Sequence, residues 1–491
     1  MAAVETPVRE ARLFVGGEWM DAGGGNTFED RDPFSGDVVA KVPAAARDDA
    51  RRAVEAAAAA FPEWSQTPPE ARQTIFLKAA DILEGRRDEI VGLLARETGS
   101  TFGFGMFQHH FVVGLLRQAA SIPYAPLGQV LPTDTPGRMA MGIRQPVGVV
   151  AAIAPWNAAL ILSARSIAAP LALGNTVVLK PSEWSPVVGG LLWGEIFAEA
   201  GLPAGVLNIV THAPGQAAPI GDEFVENPAV RRINFTGSTE TGRRLAEAAG
   251  RQLKRIVLEL GGMNPLIVLD DADLEYAVNA SAFGSYLHQG QICMSVRRIL
   301  VDRSIADEFS QRLAEKTSGL KAGDPKEPDT IIGPLINEQA LETVRSRVED
   351  AVSKGAKVLA GGEAEGSVYR ATLLADVPAD AEFTRVETFG PVAAIEVVDS
   401  ADEAVQRAND TRYGLSAGII TSDPDRGFAL ARRLESGIVH VNDQPVADEP
   451  QMPFGGVKDS GYGRFGGQAV IDEFTELRWI TVQSGSHPYP F

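Results

Sequence analysis

Cysteine is almost absent: of 491 residues only Cys293 carries a thiol. An internal disulfide is therefore excluded. Two uses remain open for that thiol, as a small buried hydrophobe or as a nucleophile served by a base and by donors that hold negative charge. Histidine is also scarce, with six residues at 109, 110, 212, 288, 440 and 487. They form no metal-ligand spacing and there is no cysteine cluster, so no metal centre is expected. Basic residues are outnumbered, 45 Lys and Arg against 64 Asp and Glu, giving a formal net charge of −19. A surface of that sign repels phosphate backbones and argues against nucleic acid as a partner. Long apolar runs are missing too. The most apolar stretch, 147–164, reads "VGVVAAIAPWNAALILSA" and is broken by Pro155, Trp156 and Asn157. It is expected to be strand, turn and helix, with no membrane span. The N-terminus, "MAAVETPVREARLF", lacks the basic-then-apolar pattern of a secretory leader. With a single cysteine, the expected location is a reducing cytoplasm.

What is present is the composition of an ordinary globular chain, 45% hydrophobic and 22% charged, long enough for about two to four domains. Near the N-terminus "RDDARRAVEAAAAAF" reads as a helix, and "PPEARQTIFLKAADILEGRRDEIVGLLARETG" as a second one, opened by proline and ending near Gly99. From Val147 the pattern changes to short runs rich in Val and Ile, starting at 147, 176, 206, 231 and 255, with helix-like segments between most of them. That rhythm predicts βαβ units and a parallel sheet. A second such region, from about Pro265 to Asn442, offers "PLIVLD", "RRILVD", "PVAAIEVVD", "LSAGIIT" and "GIVHVN". The expected architecture is α/β with two lobes.

Ligands of such sheets bind where strands end at their carboxyl side, and four predicted strand exits carry unusual residues. "NFTGSTETG" places Gly237 and Ser238 before a helix, as an anion-binding turn or simply as a capped helix start. "VVLKPSE" puts Lys180 at the end of an interior strand with Glu183 three residues on, either facing a ribose diol or rimming the sheet as an ion pair. Asn157, in "APWNAAL", could donate its amide to a developing oxyanion or cap the following helix. Glu259, in "VLELGGMNP", has the half-buried setting that raises a carboxyl pKa and suits a general base; alternatively it bonds the glycine amides after it.

Together these stretches resemble the aldehyde dehydrogenase superfamily along essentially the whole chain. The motifs carrying the resemblance are "APWN" (154–157), "LKPSE" (179–183), "FTGSTETG" (235–242), "LELGG" (258–262), "GQICMS" (290–295), "ETFGPV" (387–392) and "MPFGGVKDSGYGRFGG" (452–467), in the family's order. The resemblance implies a Rossmann-like NAD(P) domain over 1–127 and 147–258, a catalytic α/β domain over 259–465, and a small β arm for oligomerisation over 128–146 and 466–491. It implies Cys293 as nucleophile, Glu259 as general base, and Asn157 with the Cys293 N–H as oxyanion donors. For the cofactor it implies Lys180 and Glu183 at the adenine ribose, Gly237 and Ser238 at the pyrophosphate, Glu387 at the nicotinamide ribose, and Phe389 beside the nicotinamide. Ile153, Pro155, Trp156 and Gly261 complete that cofactor set. The expected cofactor is NAD in preference to NADP, because a 2′-phosphate would meet the charge of Glu183. A homodimer or homotetramer follows from the same resemblance. Where the family often has lysine after "LELGG", this chain has Met263.

The finer resemblance, through "QGQICMS", "VNDQPVADEPQMPFGGVKDSGYGRFGG" and the ending "HPYPF", is to dehydrogenases of benzaldehyde, salicylaldehyde or vanillin. If the segment after Asn157 is helical, 157, 161 and 165 share a face, and Arg165 points to the substrate entrance. There it could stack on an aromatic ring, bond a ring hydroxyl, or pair with an acidic neighbour. Phe104 and Phe107 are either tunnel wall or helix core, the small Ala158 leaves room beside Asn157, and Ile292 is expected at the substrate. The alternatives are a semialdehyde dehydrogenase with Arg165 gripping a carboxylate, a coenzyme A-acylating enzyme, and a non-catalytic member of the fold.

Overall fold

The computed structural model describes residues 8–491. Residues 1–7, which belong to the stretch read as lacking a leader and to the expected 1–127 segment, lie outside the described residues. Two large sheets organise the chain. The first has five parallel strands in the spatial order Arg255–Glu259, Val230–Thr236, Val149–Ile153, Thr176–Lys180 and Leu207–Ile209. Antiparallel strands finish its edges, Gly461–Tyr462 on one side and Leu13–Val15 with Glu18–Met20 on the other. The second sheet runs Lys357–Ala360, Thr372–Ala375, Val392–Val398, Val296–Asp302, Asn264–Val268, Ser416–Ile420 and Ile438–Val441, parallel except for the first pair.

All ten predicted strands are present; nine lie inside their sheets, where strands covered on both faces read as continuous apolar runs, and Ile438–Val441, on an edge, is half-buried. In Val149–Ile153, Val150 and Ala152 enter one hydrophobic cluster while Val149, Ala151 and Ile153 enter the cluster on the opposite face. The predicted helix over 68–99 is two helices, Pro69–Gly85 and Arg87–Thr98. Gly85 is a poor helix former, and Arg86 leaves helical geometry to donate to Glu89 and Glu195. Gly99 closes the second helix in the left-handed region, φ 64°.

Chain order in the first sheet reverses at Val149–Ile153: successive strands go to one side and then to the other. That reversal opens a crevice between the exits of Val149–Ile153 and Val230–Thr236, the place where open α/β sheets take ligands. A separate antiparallel sheet joins Gly128–Leu131, Arg138–Pro146 and Thr475–Gln483. The described residues contain no helix long and apolar enough to cross a membrane, and no group of three His, Cys, Asp or Glu that could hold a metal ion.

Candidate active site

Cys293 sits on a loop held from three directions. Before it, His288, Gln289 and Gly290 turn the chain through left-handed geometry, at φ 50°, 55° and 64°. Arg297, fully buried, donates to the carbonyls of Gly290 and of Gly390, the latter at 2.6 Å. Asn264 donates to the carbonyls of Cys293 (2.8 Å) and Ser295 (2.9 Å), while its oxygen accepts from the Ser416 N–H. Gly262 permits this approach, since a Cβ there would lie 2.7 Å from the Cys293 carbonyl. The thiol is partly buried. Burial pushes its pKa well up, and the carboxylates of Glu387 and Glu259 add to that, so the resting side chain is a neutral thiol.

Glu259 ends its strand and is 3% exposed, with neither carboxylate oxygen hydrogen-bonded. Burial raises its pKa well above the carboxylate range, opposed by Arg165 and Arg464. The bonds to the following glycine amides that the sequence left open are not made. Its place is fixed by the backbone: the Gly237 N–H donates to its carbonyl at 3.0 Å, and Gly461 pairs with it from the last part of the chain. Asn157 is buried, and the helix Ala159–Ala172 starts after it with no side-chain cap. Its amide therefore does not cap. Among the described residues, neither that amide nor the Cys293 N–H donates to the chain.

Asn157, Cys293 and Ile292 share a cavity of about 660 Å³ with Phe104, Phe107, Ala158, Ile161, Arg165, Asp448 and Phe454. Phe104 is 3% exposed and its ring stacks on His288 at 4.6 Å. Phe107, 46% exposed, stands at the mouth rather than in the core. Arg165 makes the acidic contact that was one of its options: its guanidinium donates to Asp448 and lies 4.3 Å from the centre of the Phe454 ring.

The expected cofactor residues lie away from this cavity. Lys180 is buried, and its ammonium donates to the Pro181 carbonyl (3.1 Å) and to His212 Nε2 (2.6 Å). Nδ1–H of His212 donates to the Ala213 carbonyl at 3.0 Å, which leaves Nε2 as the acceptor. Burial lowers Lys180 to about 8 and, with the lysine charge, His212 to about 4. His212 is therefore neutral near pH 7, and its 3.7 Å approach to Glu183 is not an ion pair. One Glu183 oxygen accepts from Ser182, and the side chain keeps 22% exposure. Ser238 does cap its helix, accepting from the Thr241 N–H, and Gly237 precedes it. Glu387 lies over Gly261, where a Cβ would come within 2.2 Å of its carboxylate, and accepts from the Gly262 N–H at 3.2 Å. Burial raises its pKa to about 7 against the pull of Arg297. Trp156 meets Phe389 edge-on at 5.7 Å; Ile153 is buried and Pro155 half-buried beside it. Asp448, Arg297, His212 and Asn264 were not singled out from the sequence. His212 stood among the histidines examined for metal spacing, and nothing local marks the others.

A thiol, a buried carboxylate and unengaged N–H donors at strand ends and loops of two mostly parallel sheets are the kind of group an α/β enzyme site brings together. The sequence profile of the aldehyde dehydrogenase family matches residues 19–480, and the chain belongs to that family. It is 49% identical over 478 residues to a vanillin dehydrogenase of Pseudomonas fluorescens, covering 97% of this chain and 99% of that one. It is 44% identical over 488 residues to an NAD(+) benzaldehyde dehydrogenase of Pseudomonas putida, covering 99% of each. A salicylaldehyde dehydrogenase from Pseudomonas putida G7, solved with salicylaldehyde, superimposes with a TM-score of 0.96 at 44% identity, covering 98% of this chain and all of that one.

Proposed function

We propose that the protein oxidises a neutral aromatic aldehyde to its carboxylic acid with NAD as oxidant. The observation that carries this reading is the surround of Cys293: two unengaged donors, Asn157 and its own N–H, at an apolar cavity, and the unpartnered carboxyl of Glu259 near enough for its charge to act on the thiol. The thiol gives its proton to a carboxylate of raised proton affinity, a match that favours transfer. Sγ then bonds the aldehyde carbon. The carbonyl oxygen becomes an alkoxide that accepts from Asn157 Nδ2 and the Cys293 N–H, donors already in place before charge develops. Bound NAD supplies the acceptor for the hydride that leaves this carbon. A thioester remains on Cys293; Glu259 releases the thiol's proton to solvent, then takes a proton from water, and the attacking oxygen displaces the thiolate to release the acid.

The cofactor groups fit this reading. Lys180 has one ammonium proton uncommitted and Glu183 one oxygen free, which suits a ribose diol. A 2′-phosphate would face the Glu183 charge, which favours NAD over NADP. Gly237 and Ser238 would approach the pyrophosphate, Glu387 the second ribose, and Phe389 with Trp156, Pro155, Ile153 and Gly261 the nicotinamide side. Arg165, Phe104, Phe107 and Ile292 would contact the substrate. The paired Arg165 disfavours a carboxylate-gripping semialdehyde site, and Glu259 disfavours acyl transfer to coenzyme A. On this reading 1–127 with 147–258 form the cofactor domain, 259–465 the catalytic domain, and 128–146 with 466–491 the arm of a homodimer or homotetramer. The exposed apolar side chains of Val130, Leu477 and Trp479 on the small sheet support an oligomer.

NADH formation with benzaldehyde, vanillin, salicylaldehyde, a short aliphatic aldehyde and succinate semialdehyde tests the reading. Aromatic aldehydes should lead and Cys293→Ala should form no NADH. A lead for succinate semialdehyde would overturn the substrate assignment.

A further inference from the structure

A buried ion pair inside an apolar cavity needs a reason, because desolvating both charges costs more than an exposed pair would. Arg165 and Asp448 have side-chain exposures of 7% and 10%, and both line the cavity that holds Cys293. The guanidinium is flanked by two rings, with its centre 4.3 Å from Phe454 and 5.7 Å from Phe111. Lys316, the other basic side chain on the cavity wall, is exposed at the rim. The reaction makes an anion from a neutral molecule in this same space. A lone buried cation there would hold the carboxylate product strongly, since charges interact far more in such a setting than in water.

We propose that Asp448 sets the charge selectivity of the cavity: by pairing with Arg165 it leaves the cation as a neutralised, flat wall for the aromatic ring, so that carboxylate-bearing aldehydes are rejected and the carboxylate product is released. Arg165 then contributes its planar face and Asp448 its charge. Asp448 touches no reacting atom and acts through Arg165, as a positioning residue for specificity. This deepens the reading of the cavity as an aromatic aldehyde site and rests on it.

The experiment uses the full-length protein with saturating NAD and compares 4-formylbenzoate with benzaldehyde. It also measures benzoate binding by calorimetry, which needs no turnover. The wild-type protein should favour benzaldehyde by roughly a hundredfold in kcat/KM and bind benzoate weakly. Asp448→Asn should tighten benzoate and raise the 4-formylbenzoate to benzaldehyde ratio, each by about tenfold or more, as expected for an unpaired buried cation. In Arg165→Met combined with Asp448→Asn the tightening of benzoate and the rise in the ratio should both be lost, because the unpaired cation is gone. A purely structural role for Asp448 would lower both substrates together and leave the ratio unmoved. The proposal is overturned if folded Asp448→Asn leaves ratio and benzoate affinity unchanged. It is equally overturned, with no variant required, if the wild-type protein accepts 4-formylbenzoate as readily as benzaldehyde. If the wild-type protein oxidises neither aldehyde, the aldehyde reading itself fails, while benzoate binding still decides the charge question.

Discussion

Burying a glutamate with neither oxygen hydrogen-bonded is costly in its charged form, and Glu259 is in that position. Its raised pKa gives turnover an acid limb: activity should climb with pH as the carboxyl ionises and flatten above it. In Glu259→Gln the first NADH should form more slowly, because the thiol's proton must leave by water, and steady turnover should fall roughly 10²–10⁴-fold, both read by stopped-flow absorbance. A first turnover at the wild-type rate would confine Glu259 to hydrolysis of the thioester. On the proposed cofactor side, His212 is the acceptor that orients Lys180. His212→Leu removes it and should raise the KM for NAD about tenfold, as loss of a hydrogen bond to a charged group does, with kcat little changed. Equal losses in both constants would contradict that assignment.

Among elements, the cysteine loop depends on groups outside it. Arg297 ties the Gly290 and Gly390 carbonyls together, so one buried guanidinium links the thiol loop to the segment of Glu387 and Phe389. Arg297→Met strands those carbonyls and should cost about 2–4 kcal/mol of stability, seen in denaturant unfolding, with kcat falling more than KM. The five first-lobe strands could be read directly because Val and Ile runs such as 176–180 are buried throughout. Short edge strands such as Thr27–Arg31 could not, since their mostly exposed residues "TFEDR" carry no apolar alternation. The split at Arg86 was hidden because Glu195, one of its partners, is 109 residues away. The same distance in sequence explains the site. Cys293, Glu259 and Asn157 stand in local motifs, whereas the pairing of Arg165 with Asp448 spans 283 positions and has no local signature.

At the scale of the whole molecule, a buried carboxyl pair lies where the N-terminal segment meets the first lobe. Asp30, on Thr27–Arg31, and Glu97, on Arg87–Thr98, are 3% and 1% exposed. Glu97 accepts from the Val187 and Val188 N–H groups at 2.8 and 2.6 Å. Burial pushes both carboxyls up, the Glu97 charge adding to the rise at Asp30, so that Asp30 reaches about 10 and Glu97 about 7. A pKa raised by folding means protons held by the folded state. The associated stability is complete below the ordinary carboxylate range and is lost as pH rises, up to about 7 for Glu97 and on towards about 10 for Asp30. Thermal unfolding should therefore show wild-type Tm falling more steeply than that of Asp30→Asn between about pH 5 and pH 8. Parallel curves would remove the pair from the pH response.

The strand Gly461–Tyr462 lies on the edge of the first sheet beside Leu258 and Glu259, although the thiol comes from residue 293. A chain emerging during synthesis thus presents its cysteine long before the segment that closes the carboxylate's pocket. The setting of this carboxylate is therefore complete only once the last part of the chain has paired with that edge.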